Sequence, residues 1–176
     1  MVLAVHSDAS YLNEEEAQSR AGGHHFLSED VPFPPNNGAI YNVAEIIKGV
    51  MSSAAKAELG AMYINACKAV EECIILDVMG HKQPATPVQV NNSMAEGIVN
   101  KRVQPNHIKA MGMHFHWLRD CSINQKQFQF YWHPGPTNYA DYWMKHHPAA
   151  HHRNMRPVFL TPYSQLLELR KKQPRE

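Results

Sequence analysis

Three acidic residues, Asp8, Glu58 and Asp141, occur where separate elements of one sheet-and-helix fold could bring them together. Asp8 ends a short β-prone run, Glu58 lies one to two turns into the longest helical pattern, and Asp141 stands near the start of a last short helix. Carboxylates gathered from different elements repel one another, so a fold that clusters them normally does so around divalent cations. Two such ions about 3.5–4 Å apart activate a water and stabilise the leaving oxygen in phosphodiester cleavage. The chain has 16 acidic residues, which offer many triples, so spacing alone leaves a solvated surface charge as the competing reading of each.

Other residue types admit other chemistry. Lys101, Arg102, His107, Lys109, His114 and Arg119 lie on a segment leading into and along a second helix, where they could contact phosphates as a nucleic-acid surface must. A plain solvated helix face explains them equally well. The chain has 12 histidines, with His146, His147, His151 and His152 close together, but no cysteine is near them and no helical pair is expected there. An exposed C-terminal segment is the plainer reading than zinc. Trp117, Phe128, Phe130 and Trp132 read as core side chains rather than base-stacking platforms, since strand alternation puts Phe128 and Phe130 on one face.

The elements that would position these groups follow from punctuation and period. Val2–Asp8, Ser19–Ser28 and Ala39–Val43 are β-prone, the last introduced by the turn cluster Pro32 to Gly38, and three adjacent strands suggest an antiparallel meander. Ser52 or Ser53 can cap a helix in which Leu59, Met62, Tyr63, Ala66 and Val70 recur at helical spacing up to about Met79–Gly80. Pro84 and Pro87 bracket a loop into a fourth strand, Val88–Asn91, and a short helix over Ser93–Asn100 follows. A second main helix is expected from about Ile108 to Cys121, with Gly112 in its interior at roughly 1 kcal/mol relative to alanine. Gln127–Trp132 alternates polar and aromatic residues as a fifth strand, and Pro134–Thr137 turns the chain into a last helix through Asp141. The order is βββαβααβα.

The totals bound the function. At 176 residues and 44% apolar, the chain suffices for one domain with a real core. A formal net charge of +1 means any basic surface is local. Cys67, Cys73 and Cys121 make an odd set without zinc-type pairing, no signal-peptide pattern opens the chain, and no run approaches the roughly 18 apolar residues of a membrane span. The expectation is a reduced, intracellular protein, cytoplasmic or nuclear, without a membrane partner.

Five blocks in order, Ser7–Tyr11, Met51–Leu59, Val90–Ser93, Phe115–Asp120 and Tyr131–Asp141, resemble the ribonuclease H segment that ends copia-type retrotransposon polyproteins. The resemblance runs over roughly residues 3–160 and agrees with the element order obtained from period and punctuation alone. It implies a ribonuclease H-like α/β fold: a five-stranded mixed sheet, three strands antiparallel and then parallel ones, flanked by helices. Residues 1–160 would be that domain and 161–176 a basic tail. It implies an endonuclease cutting the RNA strand of an RNA–DNA hybrid with two magnesium ions, or manganese, held by four acidic residues.

Asp8, Glu58 and Asp141 match three of those positions as metal ligands, and the fourth is occupied by Asn91. An amide offers a neutral carbonyl oxygen where a carboxylate would be anionic, so the second ion should suffer most. Glu96 is five positions further on and is expected to project elsewhere. His133 lies in the loop where ribonucleases H often place a mobile histidine that helps product release, although its offset differs. Lys101, Arg102, Lys109 and Arg119 would be the hybrid-binding residues. Gly112 and Met144 also depart from the usual pattern. Because the family's domain follows a reverse transcriptase while this chain opens at the first strand, a detached fragment or free-standing descendant is expected, with a reverse transcriptase encoded elsewhere as a partner. The rival readings are a non-catalytic nucleic-acid-binding module and a relic that keeps only the fold.

Overall fold

The computed structural model describes residues 1–103 and 112–160. It divides into two compact units, Met1–Lys145 and His146–Glu176, the second described as far as residue 160. In the first unit β1 (Val2–Ser10), β2 (Ser19–Ser28) and β3 (Ala39–Ile47) form the antiparallel meander, β1 and β3 running longer than their β-prone cores. Helix α1 (Ala54–Val78) starts at Ser53, whose Oγ accepts the Lys56 N–H at 3.3 Å and satisfies one of the orphan donors of the first turn. It returns the chain to β4 (Thr86–Val90), parallel to β1. Asn92 then caps α2 (Ser93–Val99) by accepting from the N–H groups of Met94 and Ala95, which fixes the chain where Asn91 leaves the strand. Helix α3 (Met113–Ile123) precedes β5 (Phe128–Trp132), parallel to β4, and the sheet order is β3-β2-β1-β4-β5.

One face of this sheet carries the core. Leu3 and Val5, Val88 and Val90, and Phe128 and Phe130 pack against Leu59, Met62 and Ala66 of α1, Ile98 and Val99 of α2, and Phe115, Leu118 and Cys121 of α3. Each such side chain contributes roughly 1.5–3 kcal/mol on full burial. Alternation sends the intervening residues to the opposite face, so His6, Gln89 and Tyr131 form one register row there.

Several expectations need correction. Asp141 lies on a 3-10 turn, Tyr139–Trp143, capped by the Asn138 side chain accepting from the Ala140 N–H at 3.0 Å, rather than on an α-helix. Gly112 is the N-cap of α3, where extended backbone is needed, so no interior-glycine penalty arises; residues 108–111 of the expected helix lie outside the described residues. Trp132 ends the β5 edge strand 48% exposed and is not a core residue, whereas Trp117 packs partly buried against the core. In the second unit, α4 (Ala149–Phe159) makes the histidine-rich stretch partly helical, with the His147 and His151 rings stacked at 4.1 Å. The basic tail over 161–176 lies outside the described residues.

A single amide fastens α1 to the meander. Asn65 is fully buried, and its Nδ2 reaches Ser7 Oγ of β1 at 3.0 Å, Gly22 O of β2 at 2.9 Å and Ala61 O of its own helix at 2.9 Å. Its Oδ1 accepts from His25 Nε2 at 3.0 Å, and His25 Nδ1 meets Glu72 Oε2 at 2.7 Å. A Cβ on Gly23 would stand 1.8 Å from Asn65 Oδ1 and 2.9 Å from the Val43 Cβ, so no side chain fits there. Gly23→Ala is expected to lose about 3 kcal/mol in urea unfolding, from steric displacement of the amide and its partners. A loss under about 1 kcal/mol would mean that this contact does not hold the helix.

Candidate active site

Parallel pairing of β1 with β4 runs as far as Ser7 and Val90, and Asp8 and Asn91 are the first residues beyond that row. Ser7 turns toward Asn65 on α1, so alternation turns Asp8 to the opposite face, the one facing the 3-10 turn that carries Asp141. Glu58, in the second turn of α1, meets Asp8 at this strand end. The sequence explains the placement: Ser53 sets where α1 begins, and Asn65, seven residues on from Glu58, holds α1 in register with β1.

Both acids are buried, Asp8 at 1% and Glu58 at 6% exposure. Asp8 Oδ1 accepts the Ala9 N–H at 2.9 Å. The Glu58 carboxyl and the Asn91 amide are neighbours of Asp8 at this strand end. One oxygen of each acid, Asp8 Oδ2 and Glu58 Oε2, is nevertheless buried without a well-formed hydrogen bond. Burial pushes the Asp8 carboxyl above the usual carboxylate range, with the Asp141 charge adding to it, while the Ala9 N–H, Glu58 and Asn91 act against it. Burial raises Glu58 as well, and the neighbouring Asp8 charge raises it further.

Asp141 is near enough for its charge to act on Asp8, but its Oδ1 is engaged by Lys145 Nζ, four residues along. Among the described residues no group of three His, Cys, Asp or Glu side chains stands close enough to hold a metal ion. The two orphaned oxygens fit one hard divalent cation between Asp8 and Glu58, with the Asn91 amide as a neutral neighbour. A second ion would need Asp141, which Lys145 holds. Glu96 is buried on α2 and bonded to Asn100 Nδ2 at 2.7 Å and Arg102 at 3.1 Å, so it serves a different contact.

The remaining candidates are dispersed. His133, half-buried after β5, bonds through Nδ1 to Thr137 Oγ1 at 2.7 Å. Lys101 is exposed with φ at 59° just past α2. Arg102 is exposed but pairs with Glu96, and the Arg119 guanidinium lies 5.7 Å from the ring centre of Phe115 on its own helix, so neither presents a free charge in line with Lys101. Lys109 lies outside the described residues. Lys145 was missed by sequence reasoning, although its spacing from Asp141 is that of a helical ion pair and was a usable signal. Asn65 gave no signal, because a lone asparagine on a helix reads as solvated until its four partners are known.

No family model matches the chain, and no curated protein does. Among solved structures the chain is similar to LC11-RNase H1, isolated from compost by a metagenomic approach, with 11% identity and a TM-score of 0.57 over 81% of this chain and 91% of that one. At that identity the likeness concerns the fold. The five-stranded mixed sheet with its flanking helices is therefore ribonuclease H-like, as the sequence led one to expect.

The raised carboxyls give a signed pH dependence. Their folded-state affinities for protons exceed those of the unfolded chain, so in chelator-treated protein the stability they contribute is fully present below the ordinary carboxylate range. It is lost as pH rises through their folded values. Glu58→Gln removes the like-charge pair, and its melting temperature is expected to fall less steeply than the wild type's between pH 5 and pH 9 (about the range where buried carboxyls titrate). Parallel melting curves across that range would show that the two acids are not coupled.

Proposed function

We propose that this chain is a ribonuclease H-type nuclease domain of copia-type retrotransposon descent, ancestrally a metal-dependent endonuclease for the RNA strand of RNA–DNA hybrids, and impaired by Asn91. The observation that carries the reading is the buried Asp8–Glu58 pair, each acid with an unpartnered oxygen, beside Asn91 where β1 and β4 cease to pair. Two carboxyls buried against each other are unfavourable unless a cation or a proton sits between them. In this reading Asp8, Glu58 and Asp141 are the metal ligands and Asn91 the weakened fourth. Bound Mg2+ or Mn2+ would supply charge neutralisation and an activated water.

The protein's own groups have separable tasks. Asp8 is oriented by the Ala9 N–H, Glu58 by the register of α1, and His133 stands in the loop after β5, where it could move a proton at product release. Lys101 and Lys109, together with Arg102 once parted from Glu96 and Arg119 once parted from Phe115, would meet the phosphates of the hybrid, whose backbone supplies most sequence-independent affinity. A reverse transcriptase encoded elsewhere would supply the hybrid. The rival reading, a non-catalytic nucleic-acid-binding module or relic, is favoured by the contact of Lys145 with Asp141, which occupies the site from within, and by the neutral amide of Asn91 beside Asp8.

A labelled RNA–DNA hybrid incubated with the purified chain in magnesium and then manganese, beside Asn91→Asp, separates these readings. The variant is expected to cleave at least about a hundredfold faster than the wild type, since a restored anionic ligand is worth several kcal/mol of transition-state charge stabilisation. Wild-type activity abolished by Asp8→Asn would place the reaction at this site without need of a fourth carboxylate. Silence of both proteins in both metals would leave the binding module as the reading.

A further inference from the structure

On the same sheet face as Asp8, one row back along the strands, lies a cavity of about 320 Å3 of whose lining the nuclease reading uses His133 alone. Its floor is the register row His6, Gln89 and Tyr131, two residues before Asp8, Asn91 and His133 respectively, which is about 7 Å of strand. Its lining contains no Lys, Arg, Asp or Glu among the described residues. Anchoring a phosphate or a carboxylate normally takes a cation, and the two histidines of the lining are each already bonded, His6 to the Tyr139 N–H and His133 to Thr137 Oγ1, so the lining suits a neutral ligand.

The lining has two kinds of group. Flat rings form the walls: Phe33, 63% exposed at the mouth, stands edge-on to Tyr131 at 5.4 Å, and Tyr139 stands edge-on to His6 at 6.1 Å. Neutral donors and acceptors lie at the floor. The Gln89 amide is buried, with Nε2 donating to Thr137 Oγ1 at 3.1 Å, while its Oε1 accepts only a long 3.5 Å bond from the Tyr131 hydroxyl. That oxygen can accept a ligand N–H at little loss. His6 Nδ1 accepts the Tyr139 N–H at 3.1 Å, so a neutral His6 carries its proton on Nε2 and has a fixed donor. Burial keeps the Tyr131 hydroxyl protonated. Aromatic walls around an amide floor match a planar ring with a donor–acceptor edge.

We propose that this cavity binds a single nucleobase, stacked on Phe33 at the mouth and read at its edge by Gln89 and His6. The base can come from a free nucleoside or nucleotide, or from a strand that runs past the Asp8–Asn91 row. Only the second source rests on the nuclease reading. Where a strand presents it, a terminal or unpaired base enters the cavity while its backbone crosses the carboxylates.

Calorimetric titration of the purified chain in cation-free buffer with adenosine, cytidine, adenosine 5′-monophosphate and ribose 5-phosphate tests the cavity apart from any cleavage. The nucleosides and the monophosphate are expected to bind alike and the sugar phosphate not at all. Phe33→Ala, a change at an exposed rim position, is expected to weaken binding about five- to a hundredfold with the melting temperature unchanged. Tyr131→Phe keeps the ring but removes the Gln89 contact, and should alter the preference between adenosine and cytidine. A short single-stranded oligonucleotide binding more tightly than the nucleosides identifies a strand as the source, and equal binding identifies a free ligand. No nucleoside binding at millimolar concentration, ribose 5-phosphate binding as well as the monophosphate, or unchanged affinity in Phe33→Ala would each overturn the assignment. Because cation-free binding and hybrid cleavage are read independently, either proposal can fail alone.

Discussion

The arrangement of the first unit depends on one buried amide. Asn65 is the point at which a 25-residue helix is indexed against two antiparallel strands, since apolar packing alone would tolerate a slide along the groove. Ridges of Leu, Met and Ala interdigitate at several nearly equivalent offsets, whereas a hydrogen-bonding side chain with partners on β1, β2 and its own helix accepts only one. Glu58 lies seven residues before Asn65, about two turns, so the amide's register decides whether that carboxyl meets Asp8. His25 and Glu72 extend the network to the far half of the helix and leave the amide oxygen satisfied. The absence of a side chain at Gly23 is the matching steric condition.

What that register delivers is an electrostatic liability. Two acids buried together are opposed by desolvation and mutual repulsion, and the chain relieves them with neutral or local contacts: the Ala9 N–H and Asn91 on Asp8, Lys145 on Asp141. An aspartate at position 91 could not donate a hydrogen bond to Asp8 while ionised, so the amide quiets the site and weakens its demand for a cation by the same atom. Lys145 draws Asp141 in the same direction. Part of the negative charge gathered here is neutralised by the protein itself, through Lys145 on Asp141.

The sequence was most informative where chemistry is local. The meander, α1 with its serine cap, and the order of strands were legible because β-prone runs, turn clusters and helical period act over a few residues. Boundaries suffered where a tertiary partner decides them: β1 and β3 extend because each has a neighbour to pair with. Gly112 looked like an interior flaw because the apolar period continued back through it, yet it is a cap. The site was half legible. Asp8 and Glu58 stood out by their place on the first strand and the long helix, and Asn91 through the resemblance, and the fold sets the three near one strand end; the pairing of Arg102 with Glu96 and of Arg119 with Phe115 depends on rotamers that no spacing rule encodes.

The two faces of the sheet divide the work. The face toward α1, α2 and α3 is closed by aliphatic packing, and it has no room to accept anything else. Among the described residues of the first unit, the other face is covered by the 3-10 turns and the loop around Phe33, elements short enough to leave a cavity between them. Side chains of one parity on β1, β4 and β5 line this layer, with Asp8 and Asn91 at the strand ends and the ring-walled row His6, Gln89 and Tyr131 behind them. A ligand lying along that layer would meet uncharged aromatic walls before it met carboxylates. That order suits a nucleotide, whose base is flat and neutral and whose phosphate needs a cation to approach the acids. The same parity that buries Val5, Val88 and Phe130 thus aligns Asp8 and Asn91 with His6, Gln89 and Tyr131, and ties the strand residues of the candidate site to the floor of the cavity.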